Sequence, residues 1–455
     1  MLRIDHATII CHRAGVPVVL NDQSILIDGG MITDVRPSKE IDSAASPPPA
    51  EVIDASRHLV IPGLINTHHH LYQSLTRGLK SVRDAPLFGW LTALYQKWKH
   101  LDYEAVKLAS QISIAELLLS GCTTTSDHFY IFPQGTDVRI EAVLEAAESL
   151  GMRIHACRGS MSVGQSAGGL PPDVCVQDEK TILVDSQRVL EQFHDPRPGA
   201  MRRIDLAPCS PFSVSEGLSR DTAALARERG ALLHTHAAET LDEERYCVER
   251  FKMRPIEWLD KLGWLGADVY LAHCVHLSDG DIRRIADTHT GVAHCPCSNM
   301  RLGSGIPPLR RLLAAGARVG LGVDGSSSND GNHLLAEARQ AMLLARVAGG
   351  ADAMSVAEAF TLPTLGSAAV LNRPELGNIA RGSCADLAMY RRDDIALAGA
   401  VEQDPLGALL LCHVARADRV FVHGRTVVQD SQIATFDLPR LIDNFNKLVH
   451  SRFTD

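Results

Sequence analysis

From residue 59 onward, short apolar and β-branched runs alternate with longer stretches of helical period, and this alternation constrains the fold more than any other feature of the chain. The strand candidates are Leu59–Asn66, Thr123–His128, Arg153–Arg158, Arg203–Cys209, Ala231–His236, Asp268–His273, Gly291–Cys295 and Arg318–Asp324. Helical spacing fills the intervals, as in Tyr103–Ser120, Val138–Leu150, Glu216–Arg229 and Ser278–Thr288. Gly121, Gly151 and Gly230 stand where helix C-caps are expected. Eight successive strand–helix units predict an α/β fold of the closed (β/α)8 barrel kind rather than an open doubly wound sheet. An open sheet would carry a glycine-rich phosphate turn after its first strand, and here that place holds His68-His69-His70.

The flanks read differently. Residues 1–58 hold short strands and turns, such as Ile25–Asp28 and Met31–Val35 around Gly29-Gly30, and end in a Pro47–Pro49 loop. Cys384–Tyr390, Arg419–Val422 and Thr426–Val428 again read as strands, and Leu438–Val449 has helical spacing. The expected organisation is a barrel over 59–367 beside a small composite β-sandwich built from 1–58 and 368–455. A chain of 455 residues is long enough for both. Its net charge of −9 argues against a nucleic-acid polymer or an anionic membrane as partner, though not against a small nucleobase. No apolar run approaches the roughly 20 residues needed to span a bilayer, and residues 1–11 lack the pattern of an export signal. Eleven cysteines without paired spacing point to a reducing cytoplasm. A homo-oligomer is left open.

Four motifs carry chemistry. In Thr67-His68-His69-His70, residues two apart share a side, so His68 and His70 can grip one metal while His69 points away; three unrelated loop histidines are the plain alternative. His234-Thr235-His236-Ala237-Ala238-Glu239 ends the fifth strand, and His236 and Glu239 would supply a third ligand and a nearby acid. His234 reads as a packed, hydrogen-bonded barrel residue, and Glu239 could simply open a helix. His273 ends the sixth strand and suits a site better than His276 on the loop beyond. Asp324 follows the eighth strand, where it can bind a cation or take a proton; Asp-Gly is also a common turn pair. Each signal alone is weak, but their shared position at strand C-terminal ends, where barrels keep their active sites, is not. Three imidazoles and a carboxylate suit Zn²⁺ or Fe²⁺. Cys295-Pro296-Cys297 offers only two sulfurs, and Arg77, Lys80 and Arg83 read as a solvated surface cluster.

At these residues the chain resembles the amidohydrolase superfamily, within its cytosine, guanine and related deaminases. The resemblance runs almost end to end, through Pro62–His70, His234–Glu239, His273–His276, Ser298-Asn299 and Val323-Asp324, with Gly377-Asn378-Ile379 and Gly382–Leu387 matching the family's composite β domain. It implies His68, His70, His236 and Asp324 as metal ligands, and Glu239, His273 and Asp324 as catalytic residues. Binuclear members carry a lysine at the end of strand four; Ile204–Cys209 has none, so one divalent cation is implied, Zn²⁺ or alternatively Fe²⁺. Gln73 is similar to a purine-contacting glutamine of guanine deaminases, but the arginine those enzymes place after strand four is replaced by Cys209-Ser210-Pro211-Phe212. Cys157–Ser162 and Gly168–Asp173 look most like 8-oxoguanine deaminases.

The activity so implied is hydrolysis of 8-oxoguanine to urate and ammonia. Asp324 would take the water proton, Glu239 would protonate the ring nitrogen, and His273 would hold the tetrahedral centre. Gln73, Trp90, Arg158 and Cys209 would orient the base, and Gly159–Gly169 would form a lid. The alternatives are an aminohydrolase of guanine, isoxanthopterin, an s-triazine or an adenosine thioether, and a non-catalytic barrel scaffold.

Overall fold

In the computed structural model, which describes residues 1–41, 49–412 and 414–454, the eight expected barrel strands are Leu64–Asn66 (β1), Cys122–Phe129 (β2), Arg153–Ser160 (β3), Arg202–Pro208 (β4), Leu233–Ala237 (β5), Val269–His273 (β6), Gly291–His294 (β7) and Arg318–Leu321 (β8). Consecutive strands pair in parallel from β1 to β8. The seam closes between β8 and β1, where Thr67 N donates to Leu321 O at 2.8 Å and Asp324 N donates to His68 O at 3.1 Å. Val323 N, 2.9 Å from Asn66 Oδ1, adds a side-chain stitch. The chain's first and last barrel strands are therefore neighbours, which brings His68 and Asp324 side by side although they are far apart in sequence.

The helices start and stop where local chemistry says they should. Asp102, Ser215, Thr240 and Ser278 each accept a backbone N–H from the first turn of the helix they open. Gly121, Gly151 and Gly230 close helices at φ of +87°, +74° and +66°, a conformation that costs a residue with a Cβ but not glycine.

One strand boundary moves. The run read as Leu59–Asn66 is two strands: His58–Pro62 joins the small domain, and only Leu64–Asn66 enters the barrel. Gly63 makes the handover. A Cβ there would lie 2.2 Å from Thr123 Oγ1, and its N–H donates to Asp386 O of the small domain at 2.8 Å. Continuous apolarity concealed the break, because both halves are buried on both faces.

Strands from both chain ends pair into one continuous nine-stranded sheet, the form taken by the expected sandwich. Leu387–Arg391 runs antiparallel to His58–Pro62, so the C-terminal strands dock on the N-terminal ones. Ile4, Ile9, Ile25, Ile27, Val60, Leu387 and Phe421 belong to its separate apolar core. Of the Pro47–Pro49 loop, Pro47 and Pro48 lie outside the described residues. The terminal helix, Leu438–Arg452, packs against the helix Tyr103–Leu119. Among the described residues no helix is long and apolar enough to cross a membrane, and the eleven cysteines are free thiols.

A buried ion pair locks the small domain to the barrel. Arg153 on β3 donates from Nε and Nη2 to the two Asp386 carboxylate oxygens, both at 3.0 Å, and neither side chain is more than 4% exposed. Removing one partner leaves the other charge buried and unpaired, which costs about 3–5 kcal/mol. Asp386→Asn is therefore expected to lower unfolding stability by about that amount in urea titrations. Adding Arg153→Met should recover part of the loss, and an unchanged midpoint for Asp386→Asn would show that the pair does not hold the domains.

Candidate metal centre and active site

The expected ligands meet at the C-terminal mouth of the barrel. His68 and His70 leave β1 with their rings on the same side, 4.8 Å apart between centroids, while His69 turns away and accepts the His70 N–H at Nδ1, 2.7 Å. Asp324 Oδ1 lies 3.3 Å from His68 Nε2 and 3.4 Å from His70 Nε2. His236, at the end of β5, brings its Nε2 to 3.1 Å from His70 Nε2. Nitrogen and oxygen ligands about 2.1 Å from a common ion in a tetrahedral shell stand about 3.4 Å apart, so this spacing fits one cation.

Proton placement makes the same case. His70 Nδ1 donates to His128 O and His236 Nδ1 donates to Cys209 O, both at 2.7 Å. A carbonyl only accepts, so each Nδ1 carries the proton and each Nε2 presents a lone pair. Burial keeps the rings neutral: it pushes His236 down to about 3, His70 below its ordinary value and His68 well below. Two lone-pair nitrogens 3.1 Å apart have no proton to share, and the buried His68 Nε2 makes no hydrogen bond. A divalent cation accounts for all of these atoms at once.

Asp324 is held rigidly. Its Oδ1 accepts Gly325 N at 2.7 Å, and its Oδ2 accepts Ser298 Oγ at 2.5 Å and Ser328 Oγ at 3.0 Å. Burial opposes ionisation there, yet the facing imidazoles hold the carboxyl well below the usual range. The backbone pays in strain: Asp324, Ala238, His273 and Cys274 all have φ between +51° and +72°, a conformation that concentrates at functional sites.

Glu239 and His273 face each other, Oε2 to Nε2, at 3.6 Å. Burial raises the Glu239 carboxyl to about 7, against a smaller lowering by His273. Burial works against protonation of His273, but Glu239 and Asp324 outweigh it and raise its pKa. Asn299 Oδ1 sits 3.0 Å from His273 Nδ1 and fixes the ring. The turn carrying Glu239 is pinned by buried Glu243, whose carboxylate accepts the N–H groups of Ala238 and Glu239, each at 2.8 Å.

These groups open onto a cleft of about 420 Å³, counting its space open to solvent. Gln73, Trp90 and Cys209 line it, as expected from the sequence. Gln73 Oε1 is buried without a partner, whereas the Trp90 indole N–H is taken by Ser327 O at 3.3 Å, so Trp90 contributes a surface rather than a donor. Cys209 is a thiol, pushed up to about 12 by burial.

Arg158 is the one expected site residue that the fold does not bring here. Its guanidinium is buried against Asp185 at 2.9 Å and Gln177 at 2.8 Å and lies over the Phe132 ring. The side chain near the end of β3 points outward into the helical layer, where Asp185 lies on the helix Glu179–Phe193. Residues 159–169 do not line the cavity either; Ser162 N and Val163 N are bonded to Ser213 O. The cover comes from Leu87, Trp90 and Leu91 on the helix Leu87–Trp98, with Phe212 opposite. Of that cover sequence reasoning named Trp90 but missed Leu87 and Leu91, and it missed Tyr130 and His128, whose ring stacks on His236 at 4.7 Å. A histidine ending β2 was the available signal for His128.

Two side issues resolve. Cys295 and Cys297 are thiols raised by burial, and Arg77 of the supposed surface cluster is half-buried on Glu116 at 2.6 Å.

A family model described as the amidohydrolase family matches residues 59–427. The chain is 48% identical to 8-oxoguanine deaminase of Pseudomonas aeruginosa over 417 residues, 91% of this chain and 92% of that one. It is 35% identical to an isoxanthopterin deaminase from an unknown prokaryotic organism over 448 residues, 94% of this chain and 93% of the relative. Among solved structures, atrazine chlorohydrolase TrzN from Arthrobacter aurescens TC1, complexed with zinc, superposes with a TM-score of 0.92 at 32% identity, covering 99% of this chain and 100% of that one.

Because Arg158 is spent on Asp185 and Gln177, Arg158→Met is expected to lower stability by about 1–3 kcal/mol while leaving KM within about twofold. Thermal melts and steady-state kinetics on one preparation check this, and a KM raised tenfold or more in a folded variant would return Arg158 to the site.

Proposed function

The chain belongs to the amidohydrolase family, and from that premise we propose that it hydrolytically deaminates 8-oxoguanine, giving urate and ammonia. The convergence of three Nε2 lone pairs and one carboxylate oxygen beside a buried acid, Glu239, carries this reading. The 48% identity to an 8-oxoguanine deaminase supports the substrate, as does the segment Cys209-Ser210-Pro211-Phe212, which lacks the arginine that guanine deaminases place after strand four. One cation, Zn²⁺ with Fe²⁺ as the alternative, is held by His68, His70, His236 and Asp324. When bound it supplies Lewis-acid activation of water at neutral pH.

The protein's own groups do the rest. Asp324 accepts a proton from the attacking water and later delivers it to the departing amine. Glu239 donates a proton to the ring nitrogen beside the amino-bearing carbon, so that attack generates no free anion on the ring. His273, held by Asn299, hydrogen-bonds the oxygen at the tetrahedral carbon. Gln73 offers its unpartnered amide oxygen to the edge of the base, and Leu87, Trp90, Leu91 and Phe212 exclude water from its faces. Free thiols throughout fit a cytoplasmic location. Retention of every ligand speaks against a non-catalytic scaffold.

Ammonia release across 8-oxoguanine, guanine, isoxanthopterin, a hydroxylated s-triazine and an adenosine thioether tests the substrate. The highest kcat/KM is expected on 8-oxoguanine, lost on chelation and restored by Zn²⁺. A preference of tenfold or more for another compound overturns the assignment.

Glu239→Ala is expected to retain near-stoichiometric metal while turnover falls by about 10²–10⁴-fold. With Glu239 raised to about 7, the proton-donating form prevails below neutrality and is lost above it. The wild-type kcat/KM should accordingly decline as pH rises from 7 to 9; a rise over that interval would contradict the acid role.

A further inference from the structure

The ligating histidines are not held alike. The Nδ1 groups of His70 and His236 donate to backbone carbonyls, of His128 and Cys209. The Nδ1 of His68 instead faces a side chain, His234 Nε2, at 2.7 Å. His234 is itself fully buried on β5, with its ring lying flat on Tyr270 at 4.0 Å between centroids and 11° between planes. Its Nδ1 sits 2.8 Å from the Tyr270 carbonyl oxygen.

These contacts fix the direction of the relay. The Tyr270 carbonyl can only accept, so the proton of neutral His234 is on Nδ1 and its Nε2 is an acceptor. The proton between the two rings therefore belongs to His68 Nδ1, which leaves the His68 Nε2 lone pair facing His70, His236 and Asp324. Tyr270 is in turn anchored: its hydroxyl donates to Asp205 Oδ2 at 3.0 Å and lies 2.8 Å from Ser126 Oγ.

We propose that His234 is a positioning residue, which sets the tautomer and aim of His68 by accepting its Nδ1–H and thereby strengthens the hold on the metal ion. This rests on the reading of His68 as a ligand. Without an acceptor, an isolated imidazole favours the proton on Nε2, the nitrogen that the cation needs free. A backbone carbonyl cannot be replaced by mutation, but His234 can, so this is the place where the tautomer can be tested. Loss of such an outer partner weakens metal binding by about 10–100-fold.

The experiment titrates Zn²⁺ into metal-stripped full-length protein against a chromophoric chelator, for wild type, His234→Leu and His234→Gln. The Gln amide oxygen can accept the His68 Nδ1–H, and the Leu side chain cannot. The expected result is a Zn²⁺ dissociation constant raised about 10–100-fold in His234→Leu and largely restored in His234→Gln, with circular dichroism unchanged. Wild-type affinity in a folded His234→Leu overturns the proposal, as does an equal loss in both variants. Wild-type protein that takes up no Zn²⁺ defeats the functional reading instead, so the two failures are distinguishable. Should His234→Leu fail to fold, histidine ¹⁵N spectra of the metal-stripped wild type decide: His68 protonated on Nδ1 is expected, and His68 protonated on Nε2 overturns the proposal.

Discussion

Three neutral imidazole nitrogens and one carboxylate oxygen converge at the barrel mouth, with His70–His236, His68–Asp324 and His70–Asp324 separations of 3.1–3.4 Å, and the fold must hold them there against mutual repulsion. In water such groups would turn away or take up protons. Here burial denies the histidines their protons, and a second hydrogen bond on each ring denies them rotation. For His70 and His236 those bonds come from the end of the adjacent strand, and for His68 from His234 on β5, across the barrel. The same low-dielectric setting raises Glu239 to about 7, putting a proton donor beside the ligand cluster.

The barrel supplies this arrangement through its closure. Closing β8 onto β1 places Asp324 beside His68, and parallel pairing of β5 with β6 places Glu239 across from His273. Left-handed backbone at Ala238, His273 and Asp324 re-aims the chain just past the strand ends. Each such residue costs on the order of 1–3 kcal/mol and survives because its surroundings over-determine it. Glu243 on two backbone N–H groups and the Ser298 and Ser328 hydroxyls on Asp324 are those surroundings. The small domain, keyed to β3 through Arg153 and Asp386, braces the barrel far along the chain from the ligands.

Much of this was legible in the chain. Period-two spacing put His68 and His70 on one side, and the barrel strands lie within a few residues of their expected bounds, apart from the start of the first. That run could not reveal its break at Gly63, because an apolar stretch reads the same whether it serves one sheet or two. Arg158 was misdirected for a related reason: a cation near a strand end can turn to the site or to an acidic helix, and Asp185 lies on the helix Glu179–Phe193. β2 is the opposite case, for Thr123 to His128 are polar yet entirely buried, with the Thr125 hydroxyl, Asp127 Oδ1 and the Ser126 hydroxyl met by Asn66, Leu71 and Tyr270.

By itself the amino-acid order determined which donor types stand at which strand ends, because strand period and residue chemistry are local properties. It also determined that no lysine follows β4, from which the family resemblance implies one cation. Tertiary structure alone decided which nitrogen of each histidine is free, that His234 stands behind His68, that Arg158 faces away, and that the helix Leu87–Trp98 covers the cavity. Those outcomes depend on which atoms lie within about 3 Å across the fold, and hydrogen bonding at that range is set by through-space neighbours, not by neighbours in the chain.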